Sequence, residues 1–388
     1  MSLNQPENSL IKALSRLSIP ASEAPSLEPL LRSLPSADRF FDRCRDQGLA
    51  PLFYQHLKTH GLDTAIPRST FRKFRTAYLR TLTFNLQYME LLDEIDRISP
   101  IPVMVLKGPA LIHLVYTDPG IRPMSDLDLM VSPEDLPEFQ QTLSNLGFRD
   151  VPHYPDVFQR EHMVIDIHTD PLNQSRIAAR GRAIPIKTEQ LWASAQPFDP
   201  YGNLKILDIT DQILTLAIHA LKHGYQQQIW LLDLVECLQH IDCPSAWDRL
   251  LNRSEAFQAS RILSITFFVM QTRLGCRLPD PALNLQKSFP LGRFERKIIL
   301  AAAIPGPFQI LEPLVLYKTL KNPQEKLRYI LEAIFPQTAV LSQITGIKNR
   351  KAFWLSYPFR ALQMVTLGSL YFLKLCWHLR KRNSNFYF

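Results

Sequence analysis

Two short apolar runs carry the residues best suited to chemistry. Val103-Met104-Val105-Leu106 leads into Lys107-Gly108-Pro109, and Arg122-Pro123-Met124-Ser125 leads into Asp126-Leu127-Asp128-Leu129-Met130-Val131. Residues two apart on a strand share a face, so Asp126 and Asp128 are expected to point the same way. Neighbouring carboxylates repel each other unless a cation lies between them. Mg²⁺ takes a few carboxylates and fills its remaining positions with phosphate oxygens, so the pair suits a metal-bound nucleotide. Further on, Met163-Val164-Ile165-Asp166-Ile167-His168 alternates as a strand should, with Asp166 and His168 on one face.

Three acids on strands, after a glycine turn at a helix start, are the working parts of a two-metal phosphoryl-transfer site. Asp126 and Asp128 would grip a metal that also holds a triphosphate, and Asp166 would help hold a second that activates the attacking hydroxyl. Lys107 and Gly108 stand where a helix N-terminus favours phosphate, and Arg122 offers a bidentate fork. His168 can orient a carboxylate, touch substrate, or serve as a hydrogen-bonded structural residue. His219 and His223 are neighbours at i and i+4, a spacing that can bind metal. With no glutamate between them and no evident third ligand, packing or substrate contact is the better reading than zinc. Asp170 is a weaker third acid because Pro171 follows it. Trp230 reads as packing and Asp233 as half of an ion pair on a helix surface.

The elements that must position these residues divide the chain. Residues 1–98 read as helical, with apolar spacing over Ala37–Leu57, interrupted near Gly48 and Pro51, and over Arg68–Arg97. The latter begins with Arg68, Arg72, Lys73, Arg75 and Arg80, a solvated face or a nucleic-acid contact. Residues 99–207 read as an α/β core: strands at Val103–Leu106, Leu127–Val131 and Met163–His168, with helices at Pro109–Tyr116 and Pro133–Leu146 and a stop at Gly147. Residues 208–357 return to helices at Asp211–His223, Gln228–His240, Pro244–Ala256 and Ser260–Leu274. The expected class is α+β, a small mixed sheet with helical regions on either side in sequence.

Composition narrows the field. The 388 residues are 46% hydrophobic and 21% charged, a globular balance, and the net charge of +8 favours acidic partners such as nucleotides, nucleic acid or anionic membrane. Five scattered cysteines without a CxxC pair argue against structural zinc or a disulfide framework. No GxGxxG or GxxxxGK[ST] occurs, against Rossmann and P-loop binding. The polar N-terminus lacks a signal core, so the expected location is cytoplasmic.

At these residues the sequence resembles the polymerase-β-like nucleotidyltransferases, and within them a bacterial branch of uncharacterised members. The shared pattern is Leu106-Lys107-Gly108, Tyr116, Asp118-Pro119, Arg122, Asp126-x-Asp128 and Asp166-x-His168, with weaker continuation to His219, His223, Trp230 and Asp233. The resemblance implies a nucleotidyltransferase core with Mg²⁺ and a nucleoside triphosphate such as ATP as ligands, and it leaves the acceptor undefined. Two departures stand out. The superfamily's Gly-Ser is here Gly108-Pro109, which supplies neither a hydroxyl nor a backbone donor, and the interval from Gly108 to Asp126 is long. The leading expectation is therefore a Mg²⁺-dependent nucleotidyltransferase, and the alternative is a catalytically degenerate nucleotide-binding regulator. A membrane-peripheral adaptor is compatible with either. Its basis is residues 358–388, an apolar stretch ending in Arg380-Lys381-Arg382 that reads as a helix packed on the protein or laid on anionic membrane.

Overall fold

The computed structural model describes residues 5–341 except 153, 173–177, 304–310 and 338–339, together with 357, 362, 366 and 369. The apolar and basic stretch 358–388 thus lies almost wholly outside the described residues. Among those described, no helix is long and apolar enough to cross a membrane.

Four helices open the chain: α1 (Gln5–Leu14), α2 (Ala24–Arg32), α3 (Ala37–Asp46) and α4 (Ala50–Thr59). α3 starts where the Ser36 side chain accepts a hydrogen bond from Arg39 N, a standard N-cap. α5 (Arg68–Ile98) is one continuous helix of 31 residues, as its apolar spacing predicts. The core follows as β1 (Val103–Val105), α6 (Gly108–Leu114), β2 (Leu127–Met130), α7 (Leu136–Asn145), β3 (Arg149–Val151), β4 (Tyr154–Arg160) and β5 (Met163–His168). After α8 (Ala178–Ala183) and α9 (Thr188–Ser194), β6 (Gln196–Pro197) and β7 (Leu204–Ile206) complete the sheet. The rest is helical: α10 (Ile209–Lys222), α11 (Gln228–Gln239), α12 (Pro244–Ala256), α13 (Ser260–Leu274), α14 (Asp280–Ser288), α15 (Arg293–Ala302), α16 (Leu311–Thr319) and α17 (Pro323–Ile334). The α+β class is as expected. α7 begins later than Pro133, because Ser132 and Asp135 first close a turn through their side chains.

The seven strands run in the order β3-β4-β5-β2-β1-β7-β6. β2 pairs with β5 in parallel and with β1 antiparallel, while β7 lies parallel on the other side of β1. Alternation along the strands sorts the side chains onto two faces. Val103, Val105, Leu127, Leu129, Ile165 and Ile167 point into one core, packed beneath Tyr88, Leu91, Leu92 and Ile95 of α5 and Phe139 and Leu143 of α7. Met104 and Met130 point to the opposite face, into a larger core shared by α1–α4 and α10–α13. Asp128, Asp166 and His168 alternate with the first set, so they too emerge on this second face.

Candidate metal and nucleotide site

The parallel register of β2 and β5 sets Asp128 directly beside Asp166, and Met130 beside His168. Ligand atoms of Asp128, Asp166 and His168 lie within 4.8 Å of one another, the one such group of acids, histidines and cysteines among the described residues. His168 Nε2 is 2.8 Å from Asp128 Oδ1 and 3.5 Å from Asp166 Oδ2. Lys107 Nζ donates to the same Asp128 oxygen at 2.5 Å. Burial alone would raise the Asp128 carboxyl, but Lys107 and His168 outweigh it and hold the group well below the usual carboxylate range. An ionised carboxylate can only accept, so His168 Nε2 carries the proton in this contact. Asp166 Oδ1 is buried and has no hydrogen-bond partner.

Asp126 lies outside that group. It precedes β2 and is half-buried, with Ser125 Oγ donating to its Oδ1 at 2.7 Å. Burial, then the charge of Asp128, raises its carboxyl above the ordinary value. Asp128 is thus grouped with Asp166 across two strands. Sequence periodicity shows which residues share a strand face but not which strands become neighbours.

The Lys107-Gly108 turn is shaped by close approach. Lys107 takes φ +53°, an unfavourable backbone for a side chain with Cβ, and this turns the chain from β1 into α6. A Cβ at Gly108 would sit 2.1 Å from Met124 Sδ and 3.3 Å from Arg122 Nη1. Any Cβ here would oblige the Met124 side chain to move aside.

Arg122 is engaged in an ion pair. It is buried, and its fork closes on Asp233 of α11, Nε to Oδ1 at 3.0 Å and Nη2 to Oδ2 at 2.8 Å. Tyr116 Oη donates to the same Oδ1 at 2.6 Å. Asp233 is fully buried, not half of a helix-surface pair. Three motif residues thus form a polar bolt from the core to α11, and the guanidinium expected at phosphate is engaged there. α5 secures the intervening loop from the other side. Tyr78 Oη donates to Asp118, Asn85 Nδ2 donates to the carbonyls of Pro119 and Arg122, and Tyr88 Oη bonds Val164 of β5.

Against the acidic face, α10 closes a pocket lined by Lys107, His168, Arg180, His219, Lys222 and Glu312, among others. His219 and His223 stack with Trp230, ring centroids 4.6 to 5.2 Å apart. Burial, then the charge of Lys107, pushes His219 well below its ordinary value, and burial with Lys222 brings His223 down to about 4. Both rings are neutral near pH 7, and only His219 lines the pocket. Lys222 forms no ion pair among the described residues, and burial followed by Lys107 and Arg180 lowers its ammonium. Arg180 pairs with Glu312 at 2.7 Å. Lys222 and Arg180 were not expected from sequence. Lys222 follows His219 by three positions on α10, a signal that was there to read, whereas nothing near Arg180 marks it.

The model of a family described as uncharacterised nucleotidyltransferase matches residues 34–275, from just before α3 to just past α13. The match covers more than half the chain and the whole sheet, and the chain belongs to this family. No curated protein and no solved structure matches it.

Proposed function

We propose that this member of the uncharacterised nucleotidyltransferase family binds Mg²⁺ with a nucleoside triphosphate on the second face of its sheet and moves the nucleotidyl group to an acceptor hydroxyl. One observation carries the reading: Asp166 Oδ1, buried and unpartnered, stands beside an ionised Asp128 whose other contacts are a lysine and a histidine. Leaving a buried carboxylate oxygen unsatisfied costs about 1–3 kcal/mol or more, a cost that a divalent cation offsets. The donors also fit. Carboxylate oxygens suit Mg²⁺, and a protonated His168 Nε2 is a positioning group for Asp128 and not a ligand.

Asp128 and Asp166 would hold the cation, with Asp126 as the third acid at the exposed edge. Once bound, the cation neutralises phosphate charge and polarises the α-phosphoryl group. Lys107 and Lys222 supply the positive charge for the triphosphate that Arg122 cannot, and His219 lines the same wall. In the transfer, the acceptor oxygen bonds to the α-phosphorus while the bond from that phosphorus to the bridging oxygen breaks. Pyrophosphate leaves with the electron pair, and the acceptor proton passes to Asp126. The pocket between the acids and α10 is about 30 Å³, room for one or two waters. Nucleotide binding therefore requires Lys107 to leave Asp128 and turn toward phosphate.

The test is calorimetric titration with each Mg²⁺–NTP, alongside pyrophosphate release. Asp128→Asn and Asp166→Asn should each weaken metal-dependent NTP binding at least about tenfold, since one lost charge contact to the cation is worth more than ~1.4 kcal/mol. Unchanged affinity in both would refute the site. Binding without metal-dependent pyrophosphate release in any cell extract would mark a nucleotide-binding regulator instead of an enzyme.

A further inference from the structure

A groove of about 670 Å³ runs between the α3–α4 corner and the first half of α5, and it ends at Pro123, Met124 and Ser125. Its walls carry Arg45, Arg72, Lys73 and Arg80 and no carboxylate. Arg45 and Lys73 are partly offset by exposed pairs with Asp42, Asp46 and Asp38. Arg72 and Arg80 have no ion pair among the described residues. Along α5 no acid occurs from Arg68 until Glu90, so the net positive charge lies in the half of the helix that forms the groove.

We infer that this groove seats a single-stranded nucleic acid and presents its terminal hydroxyl to the acids, which names the acceptor class for the nucleotidyl transfer proposed above and rests on that reading. Three features converge on a chain of phosphates. Arg72 and Arg80 are eight residues apart on one helix stripe, about 12 Å, so they meet two different phosphates of one strand and not a single one. Phe84 lines the groove with a half-buried ring, edge-packed on Tyr88 at 4.9 Å, a platform on which a base can stack. Ser125 closes the groove and is hydrogen-bonded to Asp126, so a strand end lying there reaches the acidic edge of the site. The opening is also far larger than the pocket under α10.

The experiment is fluorescence anisotropy of the full chain with a labelled oligouridylate of about 12 nucleotides, from 50 to 200 mM salt, within the site sizes such grooves cover. The parent protein should bind with a steep salt dependence. Arg72→Ala/Arg80→Ala should bind about ten- to a hundredfold more weakly at low salt and lower the salt slope by about 1.4, for two lost phosphate contacts. Mg²⁺–ATP titration of the same double variant separates the two readings. Intact ATP binding with lost oligonucleotide binding supports the inference. Loss of both makes the groove the nucleotide's own path and overturns the acceptor assignment while leaving nucleotidyl transfer standing. A parent that ignores the oligonucleotide, or binds an acidic phosphopeptide equally well, also overturns it.

Discussion

Replacing Arg122 with methionine tests whether this arginine is spent on structure or on phosphate. Its side chain is 7% exposed, and that of Asp233 is fully buried. Two guanidinium bonds and one tyrosine hydroxyl satisfy the carboxylate. Arg122→Met leaves Asp233 as a buried anion with a single donor. Breaking a buried pair in this way costs about 3–5 kcal/mol, because the orphaned charge keeps its desolvation penalty. Asp233→Leu leaves a buried cation and an unsatisfied Tyr116 hydroxyl, for a similar or slightly larger loss. Against a total stability of about 5–15 kcal/mol, either variant should lower the urea midpoint severely. The double variant removes both charges and substitutes apolar side chains of similar length, so it should recover most of the loss. The cycle should thus give a coupling energy of several kcal/mol. Urea unfolding followed by circular dichroism measures all four corners. Additive losses, or an Arg122→Met protein within about 1 kcal/mol of the parent, would refute the buried-bolt account. If that stable variant also lost Mg²⁺–NTP affinity, the phosphate role expected from sequence would be restored.

Two further outcomes follow from geometry and burial. Gly48→Ala combines a φ of +73° with a Cβ 2.7 Å from Ile229 Cγ2, whereas Gly61→Ala has φ +65° and nothing within 4 Å. Gly61→Ala should cost about 1 kcal/mol and Gly48→Ala about 2–4, and equal urea midpoints for the two would remove the Gly48–Ile229 contact from the explanation. Burial, partly offset by its contact with the Arg16 carbonyl, lowers His56 from its ordinary 6.5 to about 4. The unfolded chain therefore binds this proton first. Stability from His56 is complete above about pH 6.5 and falls as pH drops toward 4, by about 3 kcal/mol in all. His56→Gln should flatten that part of the stability–pH curve, and an unchanged slope between pH 6.5 and 4.5 would show that another group carries it.

What could be read from the sequence depended on how far apart in the chain the cause lay. α5 and α10–α13 announce themselves because helical periodicity is written within each segment, β1 and β2 because each belongs to an apolar run, and β5 because it alternates. β6 and β7 are two and three residues long and carry no pattern of their own. They exist because the exposed edge of β1 needs a partner. β4 went unnoticed for a related reason: Tyr154–Arg160 mixes polar and apolar residues, and only pairing with β5 makes it a strand.

The same distinction explains which candidate site residues the fold brings together. Asp128, Asp166 and His168 were found because chemistry restricts the residue types a metal site can use, and those types stand out against apolar strands. Their actual grouping required the β2–β5 register, 38 residues apart at Asp128 and Asp166, which no local spacing encodes. Gly108 and Arg122 show the converse. Both belong to the motif that suggested phosphate, yet one packs against the Met124 side chain and the other pairs with an aspartate 111 positions away. A motif residue can therefore be indispensable without touching substrate. In this chain the turn and the bolt hold the loop before β2, and that loop sets where Asp126 and Asp128 emerge. The residues proposed to meet phosphate, Lys107 and Lys222, both line the pocket, and Lys107 is bonded there to Asp128.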